Sequence, residues 1–359
     1  MAGVYLSYPF CAQRCTYCNF ASGVLPRDLE RRYLTALRAE LNSSSWPWTP
    51  ETVYIGGGTP SRLDPGELGT LLKEIPGGPW AEATIEAAPG AISFDLACAW
   101  RDLGINRVSM GVQSFVQSEL ARTGRKHTAQ VVETEVATLR SAGLHNFNID
   151  LIAGLPGQTL ESWTTSLDWI QRLDAAHVSV YMLEVDDDSR LGAEILALGK
   201  RFGAPETPSD DVIAEFYEIA VDRLAAMGIH RYEISNFARP GFESRHNLKY
   251  WHREPYLGFG ADAHSFNGST RWQNIESAAD YVERWEQSLS PVVAHAPVSP
   301  GEAFFLGLRL DEGIEADWSP YKEDVERFEN EGLLQVDGNH LRLTPRGVLL
   351  SNEVFAQFI

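Results

Sequence analysis

"YPFCAQRCTYCNF", residues Tyr8 to Phe20, holds three of the chain's four cysteines: Cys11, Cys15 and Cys18. A tetrahedral zinc site asks for a fourth ligand, as a second Cys-x2-Cys or paired histidines. No cysteine follows until Cys98, and the nearest histidine is His127. A redox pair of Cys15 and Cys18 leaves Cys11 unexplained. Three thiolates suit a four-iron cluster that keeps one iron open for an exchangeable ligand. The triplet also begins just after an apolar run, "GVYLSYP" (3–9), that reads as a strand. At the C-terminal end of a parallel barrel strand, that is where active sites assemble.

Outward from the triplet, short strands alternate with helical stretches. Strands are predicted at 3–9, 52–58, 83–89, 107–114, 146–156 and 177–185. Helices are predicted near 28–44, 93–103, 128–142 and 159–173. Alternation at this spacing implies a parallel sheet with crossover helices. About six βα units fit, so the expected fold is α/β, a partial (β/α)6-type barrel over residues 1–205. After about 205 the alternation fades. A long helix is expected at 209–228, then an aromatic-rich, irregular stretch at 231–266, within a barrel extension and connecting region at 206–298. Residues 299–359 combine helical runs with a hairpin turning at Asp337-Gly338, which suggests an α+β, winged-helix-like domain.

Composition narrows the partners. The chain has 359 residues, 44% of them hydrophobic, and a formal net charge of −19. Such a surface repels phosphate backbones and anionic lipid headgroups, so nucleic acid is a poor partner. From residue 300 onward twelve acidic residues face five basic ones, which disfavours DNA for the winged unit too. No apolar run reaches spanning length and no signal peptide is evident, so no transmembrane segment and a cytoplasmic location are expected. Cys98 sits in an apolar helical pattern and reads as a core thiol.

The Cys-x3-Cys-x2-Cys spacing resembles the radical S-adenosylmethionine (SAM) superfamily. The resemblance implies a [4Fe-4S] cluster on Cys11, Cys15 and Cys18, with SAM chelating the open iron. It further implies cofactor contacts from residues matching the family pattern. These are Tyr5 in the first strand, Tyr17 within the triplet, and Gly57, Gly58 and Thr59 of "GGGTP". Glu86, Gln113 and Asp150 follow at successive strand ends, with Arg125 as a carboxylate partner. Where that family usually has Asn before the Pro of the third strand, this chain has Ala88.

"YIGGGTPS", "GVQSF", "GRKH", "DLIAGLPGQT" and "HNLKYW" extend the likeness across nearly the whole chain, toward the oxygen-independent coproporphyrinogen-III-oxidase-like group. Two departures stand out. The oxidases carry a further cysteine two positions after the third, where this chain has Phe20. They also have a longer extension before the cluster, where this chain has ten residues. The HNxxYW motif, here His246, Asn247, Tyr250 and Trp251, is similar to that of the heme-chaperone branch. It implies heme as a cofactor or cargo and heme-accepting respiratory proteins as partners; a homodimer would suit such a handover. A neutral imidazole can ligate iron, and His252 and His264 are rival ligands nearby. An active radical SAM enzyme on a tetrapyrrole such as coproporphyrinogen III is the alternative reading.

Overall fold

The computed structural model describes residues 2–359. Six strands run parallel and adjacent in chain order: β1 (Ala2–Tyr8), β2 (Pro50–Gly57), β3 (Glu82–Ala87), β4 (Arg107–Gln113), β5 (Asn146–Ala153) and β6 (His177–Met182). The helices between them are α1 (Arg27–Ser43), α2 (Pro65–Leu72), α3 (Phe94–Asp102), α4 (Gln117–Arg122), α5 (Ala129–Ser141) and α6 (Leu160–Leu173). Their starts follow from side chains that accept the unpaired first-turn N–H groups. Asp64, Ser93, Thr128 and Thr159 do so, the last in a reciprocal capping box with Ser162.

Through their central residues the strands alternate. One face carries Val4, Leu6, Val53, Ile55, Ile85, Val108, Ile149 and Val178, all essentially inaccessible and packed in one apolar core with the helices. The other face carries Tyr5, Thr52, Tyr54, Thr84, Glu86, Arg107, Ser109, Asn148, Asp150, His177 and Ser179, a polar lining. Strands buried on both sides by apolar groups would read as continuous hydrophobic runs. The period of two marks a sheet whose inner face is built to hold something polar. Cys98, expected in the core, lies half-buried at its edge, because α3 turns Ala97 and Trp100 inward instead.

The chain beyond 182 closes both sheet edges. It forms α7 (Arg190–Leu196), α8 (Asp210–Ala226), β7 (His230–Arg231), β8 (Asn236–Ala238), α9 (Arg245–Trp251), β9 (Tyr256–Phe259), β10 (His264–Phe266), β11 (Thr270–Asn274), α10 (Ala278–Glu286) and β12 (Val292–Pro297). β8 pairs antiparallel with β6, while β9 pairs parallel with β1 and is extended by β10, β11 and β12 into one twelve-stranded sheet. The stretch 231–266, expected to be irregular, is thus mostly short strands plus α9. Three- and four-residue strands carry too little alternation to be read without their partners.

The last segment contains α11 (Glu302–Gly307), β13 (Ile314–Glu315), α12 (Lys322–Asn330), β14 (Leu334–Asp337), β15 (His340–Leu343), α13 (Pro345–Leu349) and α14 (Ser351–Phe355). Its sheet order, β13-β15-β14, with a hairpin turning at Gly338, is a winged-helix arrangement. Among the described residues no helix is long and apolar enough to cross a membrane.

Candidate functional site

The cysteine loop leaves β1 at the C-terminal mouth of the barrel. Its ends are tied by Gly23 N–H to Pro9 O at 2.9 Å and Cys11 N–H to Gly23 O at 2.8 Å. Thr16 N–H donates to Thr123 O at 3.1 Å, and Leu191 N–H to Thr16 O at 2.7 Å, so the loop is held from two sides. Cys11 and Cys15 are buried and Cys18 half-buried, all unpaired. Three thiols with no fourth ligand in the loop fit a cluster that keeps one iron open better than a closed tetrahedral zinc site. Burial pushes the Cys18 thiol up, and a bound metal would favour its thiolate.

The "GGGTP" turn ends β2 beside this loop. Gly58 N–H donates to Tyr8 O at 2.7 Å and Thr59 N–H to Phe10 O at 3.0 Å. A Cβ on Gly58 would stand 2.8 Å from the Phe10 carbonyl, so only glycine lets the two turns meet. Gly57, at φ +114°, donates its N–H to Glu86 Oε2 at 3.0 Å. Glu86 Oε1 accepts from Tyr54 Oη at 2.9 Å. Burial first, then Asp150, pushes this carboxyl up to about 7.

Across the mouth, a bulge between Gly111 and Gln113 puts Gln113 at φ +73°, a conformation side-chain-bearing residues seldom adopt. Gln113 Nε2 and Arg125 Nη2 then lie over the bare face of Gly111, 3.0 and 3.4 Å from where a Cβ would stand. Arg125 donates to Tyr17 Oη at 3.1 Å, and its buried Nε has no partner. Asp150 accepts from Asn148 Nδ2 at 2.6 Å; burial raises its carboxyl, offset by Ser179, Asn148, Arg107 and Arg125. His127 donates its Nε2–H to Val112 O, 3.1 Å away, and burial lowers it to about 4, so it stays neutral. Tyr5 stacks on Tyr54 with ring centres 6.1 Å apart. Tyr5, Tyr54, Glu86 and Gly57 thus form one contacting group and Tyr17, Arg125 and Gln113 a second, with Asp150 near both Glu86 and Arg125. An orphaned guanidinium nitrogen and a glycine-floored cradle fit a ligand bearing a carboxylate and an amino group. A [4Fe-4S] cluster held by the three cysteines would supply an electron, and these residues would hold and orient the ligand beside it.

The HNxxYW residues lie elsewhere. α9 crosses the opposite end of the barrel. Its N–H groups at Arg245 and His246 point to Glu82, the first residue of β3, at 3.0 and 2.9 Å. His246 is 1% exposed. Its Nδ1 is 2.8 Å from Thr52 Oγ1 and its Nε2 2.8 Å from Tyr250 Oη, with the ring stacked on Tyr54. Burial first, then Lys249 and Arg107, lowers this imidazole to about 3. Asn247 donates its N–H to Ser244 Oγ, and Trp251 lies half-buried at the end of α9. His252 and His264 are exposed. Thr52 and Gly57 stand five residues apart on β2, so floor and mouth are separated by about 16 Å at ~3.3 Å per residue. Glu82, which holds α9, and Tyr54 and Asn148, which link floor and mouth, belong to no motif; their signal is the polar half of the strand alternation.

A family model of the radical SAM superfamily matches residues 5–170, and one of the HemN C-terminal domain matches 299–350. The fold is shared with coproporphyrinogen III oxidase (HemN) from Escherichia coli, a radical SAM enzyme, at a TM-score of 0.84 and 22% identity, covering 99% of this chain and 89% of that one. The barrel and its cysteine loop are thus those of a radical SAM protein, a class whose members carry a [4Fe-4S] cluster and SAM. Within it, the heme chaperone HemW of Bacillus subtilis is 34% identical, covering 100% of this chain and 99% of its own. HemW of Mycobacterium tuberculosis (strain H37Rv) is 36% identical, covering 98% and 93%. The chain belongs to the HemW family.

Proposed function

We propose that this protein is a heme chaperone: in the cytoplasm it binds heme and passes it to respiratory acceptor proteins, docking on them by protein–protein contact. The end-to-end likeness to heme chaperones, which spans both the cysteine loop and α9, carries the reading. Cys11, Cys15 and Cys18 would hold the cluster. Gly57, Gly58, Thr59, Glu86, Gln113, Arg125 and Asp150, with Tyr5 and Tyr17, would hold SAM. His246 would ligate heme, flanked by Asn247, Tyr250 and Trp251. Both of its ring nitrogens are engaged within the fold, so ligation requires α9 to leave the barrel floor. The ring is neutral at physiological pH, which leaves a lone pair for iron once Thr52 or Tyr250 lets go.

The test is a heme titration of the cluster-reconstituted protein with an apo-acceptor present, beside an assay for coproporphyrinogen III decarboxylation. Heme uptake and transfer without decarboxylation is expected; stoichiometric decarboxylation would favour the enzyme reading, which the shared HemN fold keeps as the rival. His246→Ala should lose most of the heme absorption band while the cluster absorption persists. Unchanged heme binding in that variant would remove His246 as the ligand.

A further inference from the structure

Thr84, Arg107 and Asn146 sit side by side on β3, β4 and β5, Arg107 being the register partner of both. Each has a buried polar atom without a hydrogen-bond partner: Thr84 Oγ1, Arg107 Nε and Asn146 Oδ1. Thr84 is 0% and Arg107 2% exposed. Among the described residues the Arg107 guanidinium makes no hydrogen bond or ion pair at all, although it is close enough to Tyr54, Asp150, His177, Tyr232 and His246 to act on each electrostatically. The carboxylates of the interior are engaged by other donors. Glu82 caps α9, Glu86 holds Tyr54 and Gly57, Asp150 takes Asn148, and Glu233 takes Asn236 and Ser235.

A full positive charge buried without a partner is destabilising, and chains retain one where a ligand completes it. Buried water could satisfy the hydrogen bonds but would bring no anion into contact with the guanidinium, on which Asp150 acts only through space. Exposure rises from the interior toward the mouth. Tyr181 is 43% exposed there, and Glu86, Gly111, Asp150, Tyr54 and Tyr5 below it are half-buried. Arg107 opens β4, in register with Thr84 and, across β3, with Tyr54. Its fork matches the two oxygens of a carboxylate, and the Thr84 hydroxyl can donate to the same group. The Asn146 amide makes no other side-chain hydrogen bond, so it can turn Nδ2 to that point.

We propose that Arg107, with Thr84 and Asn146, forms a carboxylate-binding site inside the barrel, below the SAM site. Two sources carry that chemistry: a propionate arm of heme, which rests on the chaperone reading, or a small free carboxylate. The full-length protein is titrated with heme and with heme dimethyl ester, whose propionates are blocked, and is melted in increasing sodium propionate. Wild type is expected to bind heme about tenfold tighter than the ester, the worth of a hydrogen-bonded charge pair. Arg107→Met should abolish that preference, and Arg107→Lys should restore part of it. Without ligand, Arg107→Met should melt no lower than wild type, because no hydrogen bond or ion pair is lost and a buried charge is removed; a lower melting temperature would make Arg107 structural and overturn the site. If wild type does not discriminate the ester but propionate raises its melting temperature and not that of Arg107→Met, the site stands with a free carboxylate as ligand. If wild type binds no heme, the chaperone reading fails and the propionate melt alone decides the site. Retained ester discrimination in Arg107→Met, with no propionate effect, means buried water only and overturns the proposal.

Discussion

Glu86 stands where three demands meet: it orients Gly57 on the SAM side, accepts the Tyr54 hydroxyl, and sits near Asp150 in a buried site. Its carboxyl titrates at about 7 in the fold against 4.5 when unperturbed. Between those values the folded chain therefore binds more protons than the unfolded one, and stability falls as pH rises. The contribution is fully present below about 4.5 and gone above about 7. Glu86→Gln keeps the shape without the charge, so its melting temperature should decline less than that of wild type across this window. Glu40, also raised by burial to about 7 among Tyr281, Gly260 and Asn274, titrates in the same range, so the slope should shrink rather than vanish. Parallel curves for variant and wild type would mean that ionising Glu86 costs the fold nothing.

Among the elements, α9 has the least ordinary position, because a helix of seven residues has little stability of its own and here takes it from the barrel. Glu82 accepts two of its first N–H groups and the Ser244 hydroxyl, Thr52 holds His246, and Lys249 bridges Glu51 and Glu254. Glu82→Ala would leave buried N–H groups unpaired at about 1–3 kcal/mol. Amide exchange in α9 should then rise about tenfold or more, and heme should associate faster, because the floor opens more often. Exchange that is unchanged, or slower heme uptake, would refute α9 as the gate to His246. This placement also shows where the sequence stops being legible. The six barrel strands and the helices α1, α3, α5 and α6 could be read from local periodicity, but not α2 and α4, whose eight and six residues carry too little of it. "HNLKYW" could be read as a motif but not as a floor plug, since Glu82 and Thr52, which hold it there, lie more than 160 positions away. The polar lining was in plain view as Thr-x-Tyr, Glu-x-Thr-x-Glu and Arg-x-Ser, yet a period of two says only that one face differs, not that it faces an interior.

Over the whole molecule, the winged unit binds the barrel rather than presenting itself to DNA. Twelve acidic against five basic residues from 300 onward would repel a phosphate backbone. What the unit touches is the floor end. Ile234 N–H donates to Arg309 O at 3.1 Å and Asp311 N–H to Tyr232 O at 3.0 Å, and Arg231 pairs with Asp311. The Arg309 guanidinium lies 4.6 Å over the Trp251 ring at the end of α9 and 5.7 Å from Phe355 of α14. A cation held over indole is worth about 0.5–2 kcal/mol, enough to bias a short helix without deciding the fold. The winged unit thus braces the C-terminal end of α9 as Glu82 braces its start, and the route to His246 depends on both. Arg309→Ala should raise amide exchange at 249–252 and leave β1–β6 as protected as before. It should also shift heme association in the same direction as Glu82→Ala. If α9 exchanges at the wild-type rate in Arg309→Ala, the winged unit and the floor are uncoupled, and only the barrel governs access to the histidine.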